Sequence, residues 1–176
     1  MKLSLCAIVR DEAVALPLML ESAKEFVDEI VIVDTGSTDG TSDVARRYTD
    51  KVFFREWDNS FANARNFSLE QATGDWILIL DSDETLDKPT WAGLRDYLAR
   101  VPPQMAVVMP TMVMCTDAGV PYQEFLCERI LRNDPGIRFS GEMHNWLEVA
   151  PEDRMAIPQV RIIHNRGVKP EAQRAA

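Results

Sequence analysis

The chain has 176 residues, 46% of them hydrophobic and 27% charged, with a formal net charge of −9. This length suits one domain with a substantial core. The acidic balance excludes nucleic acid or anionic lipid as the main partner, since both need clustered Lys and Arg.

Cys6, Cys115 and Cys127 are too scattered for a metal site and fit free thiols in a reducing cytoplasm. No apolar stretch approaches about 20 residues, and the first ten residues lack the apolar core and cleavage site of a signal peptide. A soluble, cytoplasmic protein with no integral membrane segment is expected.

In chain order, residues 3–9 form an apolar run of strand length that ends in Arg10-Asp11-Glu12. Leu16, Met19, Leu20, Ala23, Phe26 and Val27 follow at helical spacing, and Pro17 suits a first turn. Residues 29–33 read as a second buried strand that closes on a Gly-, Ser- and Thr-rich loop over 34–41. A helix through Val44, Ala45 and Tyr48 leads to a third strand over 52–55. Asn59 or Ser60 can cap the next helix, whose inner positions include Phe61, Ala64, Phe67 and Ala72, with Gly74 as its stop.

The fourth strand, Trp76-Ile77-Leu78-Ile79-Leu80, is apolar throughout, as a strand buried on both faces must be. Four strands alternating with three helices imply right-handed crossovers and an α/β fold with a mostly parallel central sheet. Such sheets bind ligands at the carboxyl ends of their strands. Residues 11–12, 34–41 and 81–84 are therefore expected on one edge. The second half is mixed and irregular. A helix starting at Asp87-Lys88-Pro89 carries Trp91, Leu94, Tyr97, Leu98 and Val101 and stops at Pro102-Pro103. Extended pieces follow over 106–114, 122–125, 128–131, 137–139 and 160–164, with no linker.

Asp81-Ser82-Asp83-Glu84 places three carboxylates in four positions, with no obvious fixed cationic partner nearby in sequence. In an extended chain Asp81 and Asp83 point the same way. Close like charges oppose ionisation unless a cation joins them. Mg²⁺ and Mn²⁺ take such oxygen ligands, often together with phosphates, although an acidic solvated turn fits the same four residues. The 34–41 loop can hold an anion on its amides or be a plain capped turn, and it is neither a Walker A sequence nor G-x-G-x-x-G. Arg65, beside Ala62 and Ala64, needs an anionic partner if it faces the core; on the outer face it needs none. His164 at a strand end can complete a carboxylate metal site or be structural. Gly141-Glu142-Met143-His144 brings a carboxylate and an imidazole together, as a general base requires, and a solvated loop accounts for it equally.

Residues 5–12, 28–41, 72–84, 129–133, 137–144 and 162–164, with Phe61-Ala62-Asn63-Ala64-Arg65-Asn66, recur in this order in one group. Together they resemble family 2 glycosyltransferases of the GT-A fold, in particular the bacterial subgroup often fused to tetratricopeptide repeats. The resemblance implies a single domain over 1–176. Residues 1–86 would bind the nucleotide-sugar, and 87–176 would complete the acceptor and metal sites. It implies a nucleotide-sugar donor, most often a UDP-sugar, a divalent cation (Mn²⁺ or Mg²⁺), and transfer with inversion to an unidentified acceptor: protein, peptide, lipid or glycan.

By that similarity Val9, Glu12 and Asp34 line the base and ribose pocket, and Arg65 lies near the donor. Asp81, Ser82 and Asp83 carry the DxD role, with Asp81, Asp83 and His164 as metal ligands. Where the subgroup has its Glu after Gly-x-x-His, this chain has Asn145, an amide that cannot accept a proton. Glu142 is the favoured base, with His144 beside it and Glu148 as a further candidate. The first strand ends in Arg10-Asp11-Glu12 where Lys-Asn-Glu is usual.

Two rival readings remain at this stage. Residues 77–85 also match the apolar run and Asp-x-Asp-x-Thr of haloacid dehalogenase-type phosphatases, but the only lysine after Lys88 is Lys169 and no acidic pair follows a later strand. The other rival is a nucleotide-sugar-binding domain with little or no turnover. Asn145 favours it, as does the absence of repeats or an acceptor-binding segment after His164.

Overall fold

The computed structural model describes residues 1–142 and 145–165. Its β1 (Leu3–Val9) is flanked by two parallel partners, β2 (Glu29–Asp34) and β4 (Trp76–Ile79). β3 (Val52–Phe54) adds a fourth parallel strand outside β2. Alternate residues of a strand face opposite sides, and the core divides accordingly. Leu3, Leu5, Ala7 and Val9 pack with Leu16, Met19 and Leu20 of α1 (Leu16–Ala23) and Ala45 of α2 (Thr41–Ala45). Cys6 packs on the other face, with Ala62 and Leu69 of α3 (Phe61–Gln71). Trp76, Leu78 and Leu80 join the first face while Ile77 and Ile79 join the second. This is the two-sided burial that the unbroken apolar run implied.

Beyond β4 the sheet becomes mixed. β8 (Ile130–Arg132) runs antiparallel to β4 and to β6 (Val107–Cys115). β11 (Arg154–Asn165) is parallel to β6 and carries β5 (Glu84–Leu86) antiparallel on its far side. The order is β3-β2-β1-β4-β8-β6-β11-β5, and β7 (Pro121–Leu126) pairs with β6 off this path. The β11 register shifts between Ile157 and Arg161, a stretch that contains Pro158, which has no N–H to give. β9 (Phe139–Ser140) and β10 (Trp146–Leu147) form a separate ribbon. The three cysteines are free and buried.

Four local expectations need correction. The helix expected over 87–101 is two short ones, α4 (Lys88–Trp91) and α5 (Leu94–Leu98), broken where Gly93 takes a left-handed φ of 81°. α1 and α2 stop at Ala23 and Ala45, short of Val27 and Tyr48, whose side chains still pack on the core from the following turns. β5 and β10 were not foreseen, and β11 is longer than 160–164. Gly74 does not stop α3, which ends at Gln71 with Ala72 already extended. A Cβ on Gly74 would sit 2.6 Å from Ser4 Oγ and 2.9 Å from the Lys2 carbonyl, so glycine is needed there for close approach to β1. Of the two cap candidates Ser60 serves, its hydroxyl accepting from the Asn63 amide at 3.2 Å.

Candidate active site

The carboxyl ends of β1, β2 and β4 share one edge, and side chains lace the first two loops together. Asp34, 4% exposed at the end of β2, accepts from the amides of Gly36 (2.9 Å) and Ser37 (2.7 Å) and from the Ser42 hydroxyl. Burial works against its charge, but the Ser42, Ser37 and Gly36 donors outweigh it and hold the carboxyl below the usual range. Left-handed Gly36 and Gly40 let the loop curl around this anion. The segment after β1 is then tied across. Asp11 N donates to Ser37 Oγ (2.9 Å), Glu12 N to Thr41 Oγ1 (2.7 Å), and Thr38 N to Asp11 Oδ1 (2.7 Å). The Val9 carbonyl accepts from the Thr35 amide at 3.0 Å. Val9, Glu12 and Asp34 therefore belong to one interlocked rim, in which Asp34 also organises its own loop.

After β4 the chain turns. Glu84 N donates to the Asp81 carbonyl at 2.9 Å, and Asp81 N donates back to Glu84 Oε2 at 3.0 Å. Asp81 and Asp83 thus sit on a closed turn and not on one face of an extended strand, as the spacing had suggested. Nor does Asp81 lack a fixed cation. Its Oδ1 accepts from Arg65 at 2.8 Å and its Oδ2 from Arg129 at 3.2 Å. Arg129 in turn grips Glu84 at 2.6 and 3.2 Å. Arg65, Asp81, Arg129 and Glu84 form a chain of alternating, balanced charge. Ser82 is buried beside it.

Glu84 is 2% exposed. Burial pushes its carboxyl up from the ordinary value, and Arg129 works against that push. Burial also disfavours the Arg129 cation, yet Glu84 and Asp81 more than compensate and raise its pKa. Sequence reasoning assigned neither residue a role. The available signals were the third carboxylate of the tetrad and an arginine directly before the apolar pair Ile130-Leu131.

Arg65 lies on the buried side of α3, 9% exposed, 5.6 Å over the Phe139 ring and bonded to Asp81. Its anionic partner is therefore found. Its Nε is buried and has no hydrogen-bond partner among the described residues, which is costly for a cation unless something else fills the position.

Asp83 and His164 come together because β5 lies antiparallel on β11, with His164 opposite Glu84. Asn165 N donates to the Asp83 carbonyl at 2.7 Å, and His164 Nδ1 stands 3.6 Å from Asp83 Oδ1. Adjacent donors on an ion bound at about 2.1 Å are about 3 Å apart, so a small rotation lets this pair share one. Carboxylate plus imidazole suits Mn²⁺, and the carboxylate suits Mg²⁺. Among the described residues, no group of three His, Cys, Asp or Glu side chains is placed to hold a metal by itself. The donor set thus fits a cation that draws further ligands from a bound phosphate and water.

Glu142 is exposed, and its carbonyl accepts from Phe61 N at 2.9 Å, which sets it against the first turn of the helix that carries Arg65. His144 lies outside the described residues. Glu148 is exposed and accepts from the Ser140 hydroxyl.

A family model described as glycosyl transferase family 2 matches residues 4–151. The chain belongs to glycosyl transferase family 2. That membership removes the phosphatase reading of residues 77–85. A TPR repeat-containing protein of Synechococcus elongatus is 41% identical to this family 2 chain over 159 residues, covering 90% of it and 38% of that protein. The SPbeta prophage-derived glycosyltransferase SunS of Bacillus subtilis is 31% identical over 142 residues, or 78% of this chain and 32% of SunS. The chain therefore spans less than two fifths of either relative.

Among solved structures, S. aureus TarS 1–349 superposes with a TM-score of 0.67 at 22% identity, over 94% of this chain and 61% of that one. This fixes the GT-A fold. TarS in complex with UDP-GlcNAc superposes with a TM-score of 0.53 at 28% identity, over 69% of this chain and 37% of that one. No helix among the described residues is long and apolar enough to cross a membrane.

Proposed function

We propose that this domain transfers a glycosyl group, with inversion, from a UDP-sugar to an acceptor hydroxyl with the help of a divalent cation. The observation that carries the reading is Arg65. It is a guanidinium nine-tenths buried, tied at one nitrogen to Asp81, with Nε unpartnered. Guanidinium and phosphate match in charge and geometry, so a diphosphate at this edge of the sheet suits the Arg65 cation. UDP as the nucleotide is supported by the TarS complex.

In this reading Asp83 and His164 hold the cation, and Asp81 serves chiefly to set Arg65. Val9, Glu12 and Asp34 line the nucleoside rim, and Ser82 lies under the diphosphate. A cation bound there supplies positive charge to the departing diphosphate. The acceptor oxygen bonds to the anomeric carbon as the bond to the diphosphate oxygen breaks, and its proton passes to a carboxylate. Asn145 cannot take it. Glu142 is the assigned base, exposed next to the Arg65 helix, and Glu142→Gln should leave UDP binding intact while slowing transfer about 10²-fold or more. Calorimetry with UDP tests the whole: binding should be much tighter in Mn²⁺ than in EDTA, and Asp83→Ala should abolish the difference. Equal affinity in both buffers overturns the assignment.

A further inference from the structure

The chemistry just proposed uses Arg65 and Asp83, yet Glu84, 2% exposed, and its partner Arg129 have no part in it. Arg129 reaches Asp81 from the side opposite Arg65, so each oxygen of that carboxylate is held by a different guanidinium, at 2.8 and 3.2 Å. A carboxylate bonded through one oxygen swings about its side-chain torsions; one bonded through both, to partners on different elements, is fixed. Arg65 comes from α3 and Arg129 from the residue before β8, whose carbonyl accepts from the Ile79 amide at 2.8 Å. Glu84 completes the arrangement from two directions. Its carboxylate takes two bonds from Arg129 and one from the Asp81 amide. It thereby clamps both the cation that holds the Asp81 side chain and the backbone that carries it.

We infer that Arg129 and Glu84 are positioning residues for the donor: through Asp81 they fix the orientation of the Arg65 guanidinium. This rests on the proposed reading of Arg65 as a diphosphate ligand. Charge arithmetic supports the division of labour. The two cations and two anions of these four side chains balance one another. Arg129 gives Nε and Nη2 to Glu84 and Asp81, whereas Arg65 gives only Nη2 to Asp81. Buried ion pairs of this kind add little stability over apolar replacements but enforce one geometry. Outer supports of a binding site typically matter 10- to 100-fold.

The alternative is that Arg129 and Glu84 merely stabilise the fold, and two readouts separate the cases. Arg129→Met leaves Glu84 as an uncompensated buried charge, so it should lower Tm and also weaken UDP binding. Arg129→Met combined with Glu84→Gln removes both charges and keeps an acceptor for the Asp81 amide, so Tm should return most of the way to that of the unmodified chain. The Kd for UDP in Mn²⁺, measured by calorimetry, should nevertheless stay about 10- to 100-fold weaker, because Asp81 has lost its bond to Arg129. Recovery of UDP affinity together with Tm in the double variant overturns the inference while leaving the donor assignment intact. An unmodified chain that binds no UDP overturns the donor assignment, and the inference with it.

Discussion

Two charged clusters occupy opposite ends of the same parallel strands, and they are built differently. At the amino ends, Glu29 accepts from Lys51 Nζ (2.6 Å), Lys2 Nζ (3.0 Å), Ser4 Oγ, Thr73 N (2.7 Å) and Thr73 Oγ1 (2.7 Å). Its side chain is only 6% exposed, whereas the two lysines are 40% and 37% exposed. At the carboxyl ends the cations are Arg65 and Arg129, 10% and 19% exposed. Lysine is a flexible point charge that keeps part of its hydration, so the lower cluster joins β1, β2 and the Thr73 turn without prescribing any one direction. Arginine is a rigid fork. The upper cluster fixes directions, and one nitrogen of the outer fork is left unfilled. The lower cluster closes on itself and stabilises the sheet; the upper one leaves Arg65 Nε without a partner among the described residues.

The sharpest way to break this comparison is to remove one charge from each end. Arg65→Met takes away the proposed diphosphate ligand and also a buried cation with an unpartnered Nε. It should weaken UDP binding about 10- to 100-fold, or about 1.4–2.7 kcal/mol, with little loss of Tm. Glu29→Ala should do the reverse. Losing a buried, charged acceptor costs about 2–3 kcal/mol and lowers Tm by about 4–12 °C for a chain of this size, with the Kd for UDP unchanged. A large drop in Tm for Arg65→Met, or weakened UDP binding in Glu29→Ala, would show that the two ends are not separate in function.

The difference between the ends also marks what the sequence made legible. The parallel half could be read because its strands are unbroken apolar runs bounded by polar loops, and a right-handed crossover rule then places those loops on one edge. Arg65 and Asp83 were visible through motif resemblance, and the need of Arg65 for an anion through its small neighbours. The partner of each charge was not visible. Asp81 lies 16 residues from Arg65 and 48 from Arg129, and Glu29 lies 44 from Thr73. No local periodicity encodes such pairings. Gly74 was misread for the same reason: its glycine is demanded by Ser4, 70 residues away. The break at Gly93 could have been taken from the residue itself, since a glycine in the middle of an amphipathic run is the usual place for a left-handed turn.

The smallest expected effect isolates the lower cluster through pH. Burial opposes the charge on Glu29, but Lys51, Ser4 and Thr73 outweigh it, and the folded carboxyl lies well below the ordinary range. In the unfolded chain it titrates at about 4.3. A depressed folded pKa contributes stability that is fully present above the unfolded value and fades as pH falls below it. Gln has the shape of a protonated Glu, so Glu29→Gln imitates the acid form at every pH. The Tm of the unmodified chain should therefore exceed that of Glu29→Gln near pH 7 by an amount worth about 1–2 kcal/mol, and the gap should narrow as pH falls from about 4.3 toward the depressed folded value. Because Lys2 and Lys51 are present in both proteins, their own hydration cancels from the difference. Curves that stay parallel from pH 7 to pH 3 would mean that Glu29 titrates alike in both states, and that the lysines contribute nothing to holding its charge. The lower cluster would then be a joint whose strength does not depend on the charge of Glu29, and the contrast with the arginine cluster would rest on geometry alone.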